Sequence, residues 1–398
     1  MWIERVEAFP IRLRRDLGEA IGTAGSPTSL GAGAGAYRWS SVYPALYSEY
    51  FETALVRVTL SDGRWGWGEA QAPLAPRVAS TIIEDLLAPA LVGMPFDGEI
   101  EMIESLWRRM YDTMRVRGQT GGFMLDAISG VDLALWDLVG KLRGQPVAVL
   151  LAGKTARSAV RGYLSGLSGS GLKERVEFAR RHQDQGFTLF KIFYDGGEEE
   201  LRETLDALRS GLGGSADLAV DALWRLQLPG SERLLRELEA RRLVWLECPF
   251  PPDEIAPHRE LRLRFSLPVA AGESYRSARE LEVFFEERLM RFVQPDLGRC
   301  GITGTLRIAK RAASLGVHVV PHVSIALGPQ IAAAIHTAAA LSQCEFCEYN
   351  PKVLSVSNRY LADPLTVDGA CYRTPAAPGL GVEVRLEPLL GETLGFRD

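Results

Sequence analysis

Three acidic residues recur in this chain at a fixed interval. Asp221 closes the run LAVD, Glu247 closes LVWLE, and Glu273 follows PVAAG. The intervals are equal, 247 − 221 = 26 and 273 − 247 = 26. A strand, a helix and two short loops take roughly 25–30 residues in an α/β barrel, whose eight units need ~250 residues. One carboxylate per unit, each at the C-terminal end of a strand, brings the carboxylates side by side at one barrel mouth. Converging carboxylates repel and must protonate unless a hard cation sits between them. The spacing therefore predicts a parallel barrel. The acids predict a Mg2+ site formed by Asp221, Glu247 and Glu273.

The rest of the chain supplies the other units. Runs at 159–165, 188–193, 218–220, 243–247, 268–272, 291–295, 317–321 and 345–349 read as strands. Amphipathic stretches such as KERVEFARRHQDQ and GTLRIAKRAASL fill most gaps. The helix over 123–140, with an apolar stripe at Leu125, Ile128, Leu133, Leu135 and Leu138, precedes the first barrel strand. The expected fold class is α/β: a modified TIM barrel of (β/α)7β type spanning 123–355. Residues 1–122 read as an α+β capping domain, with a strand over 1–14, the hairpin ALVRVTL-SDGR-WGWGEA and helices across 76–117. The glycine-rich stretch 18–40 reads as a lid loop over the mouth, since long loops in compact domains are commonly functional. The Pro- and Gly-rich tail 356–398 is expected to pack back on the capping domain.

Charge and composition exclude several classes. The net charge of −5 leaves no basic face for phosphate backbones, which argues against nucleic acid. No apolar run approaches the ~18 residues of a membrane span, and no signal-peptide core opens the chain. The expectation is a cytoplasmic enzyme with a small-molecule carboxylate substrate and no membrane partner. Five cysteines, with one isolated C-x2-C at Cys344 and Cys347, read as reduced core residues rather than a zinc site.

Chemistry in such a barrel sits at the strands' C-terminal ends. Those ends carry Tyr163 or Ser165, Lys191 and Phe193, Asp221, Glu247, Glu273, Gln294 and Asp296, His322, and Glu345 or Glu348. Asp296 and His322 are also 26 apart, on adjacent strands. A carboxylate beside an imidazole fixes its tautomer and raises its pKa, giving a general base. Lys191, between Phe190 and Ile192, is expected to point into the mouth, there to orient a substrate carboxylate or move a proton. His182, His258, His318 and His336 are expected to be structural.

The chain resembles the enolase superfamily, and within it the mandelate racemase/muconate lactonizing enzyme family. The resemblance is carried by VRVTLSDGRWGWGEA, VDLALWDLVGKLRGQPVAVLLAG, GFTLFKIF, VDALW, WLECPF, AAGES, VQPDLGRCGITGTLRIAKRA and PHVSIALGPQIAAAIH. It implies Mg2+ held by Asp221, Glu247 and Glu273, a substrate carboxylate on that metal, and an enediolate after removal of the α-proton. It implies His322 with Asp296 as the base and Glu348 as a hydrogen-bond partner of the enediolate. It implies a homo-oligomer, dimer or octamer, and a lid that helps set specificity.

Three positions depart from the family pattern. Phe193 stands where many members carry the second lysine of a Lys-x-Lys pair. Leu223 stands for an asparagine, and Cys248 for an acid. A transfer between two faces of one carbon needs an acid and a base on opposite sides, and phenylalanine carries no proton. One base suffices for β-elimination, with Tyr163 or Lys191 as an alternative acid. The neighbouring cycloisomerase subgroup uses lysines on the second and sixth strands, and the sixth here offers Asp296. The reading is a lyase, a dehydratase turning a sugar acid into a 2-keto-3-deoxy acid. The rivals are an isomerase (racemase or epimerase of a 2-hydroxy acid) and an inactive barrel that binds metal and ligand.

Overall fold

The computed structural model describes residues 1–14, 30–34, 36–40, 42, 45–169, 171–214 and 216–396. The capping domain opens with β1 (Ile3–Arg14). A small antiparallel sheet of β2 (Leu30–Ala34), β3 (Tyr37–Ser40) and β4 (Leu46–Ser48) follows. Then β5 (Tyr50–Leu60) and β6 (Trp65–Ala70) join β1 in the order β1-β5-β6, all antiparallel. The turn between β5 and β6 is the SDGR of the sequence, with Gly63 at φ 86°. Of the stretch 18–40 expected as a lid, 18–29 and 35 lie outside the described residues, and the remainder supplies β2 and β3.

The barrel strands are β7 (Ala159–Ser165), β8 (Leu189–Phe193), β9 (Asp217–Asp221), β10 (Leu246–Glu247), β11 (Val269–Ala271), β12 (Phe292–Val293), β13 (His318–Val319) and β14 (Phe346–Tyr349). They pair in parallel from β7 through β13, and β14 pairs with β7. Backbone bonds from Val319 N to Gln343 O (3.2 Å) and from Glu348 N to Pro321 O (3.4 Å) close the circle. One helix separates each successive pair of strands, which is the (β/α)7β arrangement. Among the described residues no helix is long and apolar enough to cross a membrane.

The helix Phe123–Arg143 joins the two parts. It is buried from Met124 to Gly140, packed against β6 and the barrel helix Leu297–Ala313. Glycines let β6 lie directly on it. A Cβ on Gly68 would stand 1.9 Å from the Gly130 carbonyl, and one on Gly66 2.2 Å from that of Ala134. Three buried aspartates on this helix reach outward, each to partners. Asp126 accepts from Arg276 Nε (2.9 Å), Asp132 from Thr303 N (3.0 Å), and Asp137 from Trp67 N and Leu380 N (both 2.8 Å).

The tail makes contacts with both parts, beyond the expected packing on the capping domain alone. After β15 (Val367–Asp368), β16 (Cys371–Arg373) pairs antiparallel with the lower half of β7, where β8 leaves the edge free. Further on, Glu383 accepts from the indoles of Trp65 and Trp67 (2.8 and 2.7 Å), and Leu394 N donates to Arg12 O (2.8 Å).

At the end of β6, Glu69 is fully buried and accepts from Thr53 Oγ1 (2.9 Å), Leu327 N (2.6 Å) and Gln330 N (3.2 Å). Burial raises its pKa to about 7 from 4.5, against the pull of those donors. The folded state then holds this proton more tightly than the unfolded chain. Its contribution is present below pH 4.5 and lost as pH rises to about 7, a change of up to ~3 kcal/mol. Glu69→Gln should lack this dependence. In thermal melts from pH 4.5 to 8 the wild type should lose stability relative to the variant; parallel curves would rule the linkage out.

Candidate active site

The pleat explains why the mouth is charged. Side chains alternate in and out along a strand, so inward positions recur every second residue. One inward layer holds Tyr163, Leu189, Ala219, Trp245, Ala270 and Val320, with Phe292 and Phe346 against it. It plugs the barrel. Two residues on along their strands stand Ser165, Lys191, Asp221, Glu247, Gln294, His322 and Glu348. The plug shields their undersides from water, and above them lies a cavity of about 320 Å³.

Asp221 and Glu247 are register partners across β9 and β10. Glu273 does not end its strand; it lies two residues past Ala271. Gly272, at φ 147°, carries the chain past Gln294, whose backbone N would be 2.5 Å from a Cβ there. The turn still delivers the third acid: ligand oxygens of Asp221, Glu247 and Glu273 lie within 4.8 Å of one another. Three carboxylates offer hard oxygen donors, which suits Mg2+. Burial and the neighbouring acids raise the pKa of Asp221 well above the ordinary range, Lys191 offsetting only part. Burial also raises that of Glu273. The residues fit a divalent cation, whose charge would relieve this crowding.

Lys191 sits at the centre, 1% exposed. Its Nζ donates to Glu247 Oε1 (2.5 Å), lies 3.0 Å from Glu348 Oε1 and 3.8 Å from Asp221 Oδ2. The rings of Phe193 and Tyr163 flank it at 5.5 and 5.8 Å. Burial alone would lower its pKa, but the facing carboxylates push it well above the usual lysine range. Glu247 is held on both oxygens, Oε2 accepting from Trp245 Nε1 (2.9 Å) and Gln294 Nε2 (2.7 Å). Glu348 accepts from Val323 N (3.0 Å). Burial would raise its pKa, yet Lys191, His322 and the Ser165 hydroxyl hold it down to about 2.

Asp296 and His322 form a backbone bridge with each other. Asp296 Oδ2 lies 2.8 Å from His322 Nδ1. A carboxylate only accepts, so Nδ1 carries the proton and Nε2 is turned to the acids, 3.6 Å from Glu273 and 3.9 Å from Glu348. Burial lowers the imidazole pKa, but Glu273, Glu348 and Asp296 outweigh it and raise it to about 10. Neutralising those acids would bring it back toward the range of a general base.

The expectation for Tyr163 needs correcting. Tyr163 belongs to the plug beneath Lys191 and does not line the cavity; the lining residue of β7 is Ser165. Burial and Glu348 push the Tyr163 phenol well above its ordinary pKa. Glu345 faces outward and pairs with Arg161 (3.2 Å), leaving Glu348 as the inward acid of β14. His182, His258 and His336 bond to backbone groups, and His318 stacks on Phe292.

Sequence reasoning placed Phe193 at the mouth and singled out Leu223, but it did not foresee an apolar upper wall. Phe193, Leu223, Trp224 and Ile325 make it apolar, with Leu46 and Leu74 of the capping domain. Leu223 and Trp224 are both left-handed (φ 52° and 55°), a strained conformation for bulky residues that needs local support. Asp221 Oδ1 supplies it by accepting from Leu223 N (3.0 Å), as does Cys248 O by accepting from Trp224 N (2.8 Å). Gln71 and Arg299 add polar groups on another side. The signal for Gln71 was its place directly after the strand WGWGEA.

Comparison with known proteins agrees with this geometry. Residues 174–388 match the family described as enolase C-terminal domain-like, and 49–152 match the mandelate racemase / muconate lactonizing enzyme N-terminal domain. The chain is 30% identical over 349 residues to a D-galactarolactone cycloisomerase of Agrobacterium fabrum, covering 84% of this chain and 89% of that one. It is 29% identical over 348 residues to a D-galactonate dehydratase of Ralstonia pickettii, covering 83% and 88%. The crystal structure of an enolase superfamily member from Agrobacterium tumefaciens superposes with a TM-score of 0.91 at 30% identity, over 99% of each chain.

Lys191 is the cation that lets these acids share one site. Lys191→Met, which keeps the bulk, should destabilise the metal-free protein by on the order of 3–5 kcal/mol, as loss of one partner of a buried pair does. Saturating Mg2+ should recover part of that loss. Chemical denaturation with and without Mg2+ measures both; equal stability of variant and wild type without metal would refute the assignment.

Proposed function

The chain belongs to the enolase superfamily, in the mandelate racemase/muconate lactonizing enzyme family, and from that premise we propose a Mg2+-dependent sugar-acid dehydratase. Asp221, Glu247 and Glu273 would hold the cation, which when bound supplies Lewis-acid neutralisation of the charge developing on the substrate carboxylate. His322 Nε2 takes the proton from the carbon α to that carboxylate. Asp296 holds Nδ1–H and steadies the imidazolium as it forms. Lys191 keeps its proton and offers the hydrogen bond that stabilises the oxyanion, while Glu348, ionised beside it, anchors Lys191. This differs from the donor role that the resemblance implies for Glu348.

The β-hydroxyl then leaves. The Cβ–O bond breaks, His322 returns its proton to the departing oxygen, and water is released. The enol that remains tautomerises to a 2-keto-3-deoxy acid. The observation that carries this reading is Phe193, with Leu223 and Trp224 beside it. That wall offers no group to return a proton to the other face of the α-carbon. An isomerase is the second reading, supported by the cycloisomerase relative and by Lys191, which lines the same cavity.

A panel of acid sugars with Mg2+, D-galactonate among them, assayed for 2-keto acid in D2O tests the proposal. Product should form with one deuterium at C3. Deuterium appearing at the α-carbon without loss of water would favour the isomerase, and neither outcome across the panel would favour the inactive binder. His322→Asn should lower turnover by roughly 10²–10⁴-fold while calorimetry shows Mg2+ binding unchanged. Turnover retained in that variant would overturn the base assignment.

A further inference from the structure

The dyad Asp296/His322 is held from outside the barrel. Asp296 uses Oδ2 for His322, so its orientation depends on what grips Oδ1. Two donors do: Gly298 N at 2.9 Å and Gln330 Nε2 at 2.9 Å. Both belong to barrel helices, and both are themselves gripped by the capping domain. Gln71 N donates to Gly298 O at 2.8 Å. Glu69 Oε2 accepts from Gln330 N at 3.2 Å, and Oε1 from Leu327 N at 2.6 Å. Two positions of one strand end, GEAQ, thus reach the two supports of one carboxylate.

The fit is close. Asp296, Gln330 and Glu69 are each 0% exposed. A Cβ on Gly298 would lie 2.4 Å from Gln330 Oε1, so the glycine makes room for the amide. The carboxylate accepts only, so the amide's NH2 end must face it. The loop before Gln330 supplies Val323, Ser324 and Ile325 to the cavity, pinned at its start by Glu348 and near its end by Glu69.

We propose that Gln330, held in place by Glu69 of the capping domain, is the positioning residue of the Asp296/His322 dyad. Docking of the capping domain thereby sets the tautomer and orientation of the base. The proposal rests on His322 being that base, and it adds a contact that neither the metal ligands nor the dyad itself provides. Outer partners of this kind commonly change activity 10–100-fold when removed.

The chain has five histidines, so a long-range ¹H–¹⁵N spectrum of the Mg2+-loaded protein can resolve each ring. The wild type should show His322 as the Nδ1–H tautomer. Gln330→Met keeps the bulk and removes the donor; Glu69→Gln keeps the shape and removes the charge. Each should shift His322 toward a mixture of tautomers and leave His182, His258, His318 and His336 unchanged. On any acid the wild type turns over, kcat should fall 10–100-fold with KM within about twofold. An unchanged His322 signal in both variants overturns the proposal, as does an equal disturbance of all five rings. The spectrum needs no substrate, so its result stands apart from the fate of the dehydratase reading, which His322→Asn tests.

Discussion

One buried ammonium, that of Lys191, holds the barrel mouth together. At an effective dielectric of ~20, opposite charges about 3 Å apart attract by roughly 5 kcal/mol. Taking each ion out of water costs several kcal/mol, so the net gain is small. Lys191 touches Glu247 and Glu348 and stands near Asp221, while Glu273 faces the His322 imidazole at 3.6 Å and the Cys248 thiol at 3.7 Å. A single lysine cannot balance that set. The imbalance is chemical capacity: it would draw a divalent cation to Asp221, Glu247 and Glu273, and it keeps Lys191 protonated as a donor.

Much of this was legible in the sequence, for a geometric reason. A strand–helix unit of nearly constant length converts a sequence interval into a position on a circle. Asp221 and Glu247 are register partners, and Asp296 and His322 form a bridge, both at the spacing of 26. Where the reading faltered, the interval did not carry the information. Tyr163 and Ser165 are two residues apart on one strand, and only the pleat height separates the plug from the mouth. Glu273 kept the interval while overshooting its strand, and Gly272 made up the difference.

The capping domain's part was not legible. Glu69, Gln71 and Gln330 are polar residues at element ends, where such residues ordinarily meet solvent. Gln71 meets Gly298 across 227 residues, and Glu69 meets Leu327 and Gln330 across 258 and 261. No periodicity links them. The buried helix Phe123–Arg143 is what brings them within reach. Its glycine-lined contact with β6 and its outward-reaching aspartates fix the capping sheet to the barrel.

Floor and wall of the cavity then divide the chemistry. The floor carries the charges that the proposed proton transfer would use. The wall of Phe193, Leu223, Trp224 and Ile325 carries none, and in the proposed reaction it would keep water from the substrate on that side. Excluding water strengthens the electrostatic interactions at the floor, because there is less solvent to screen them. It also confines the proton. In the proposed reaction, once His322 had taken it, the acceptors on the substrate would be the leaving hydroxyl and the carbon it came from. Return to the carbon regenerates substrate, while return to the oxygen releases water and removes the leaving group. Phe193 and Leu223, which stand where the family pattern has polar residues, would thus favour the proposed elimination without touching the proton at all.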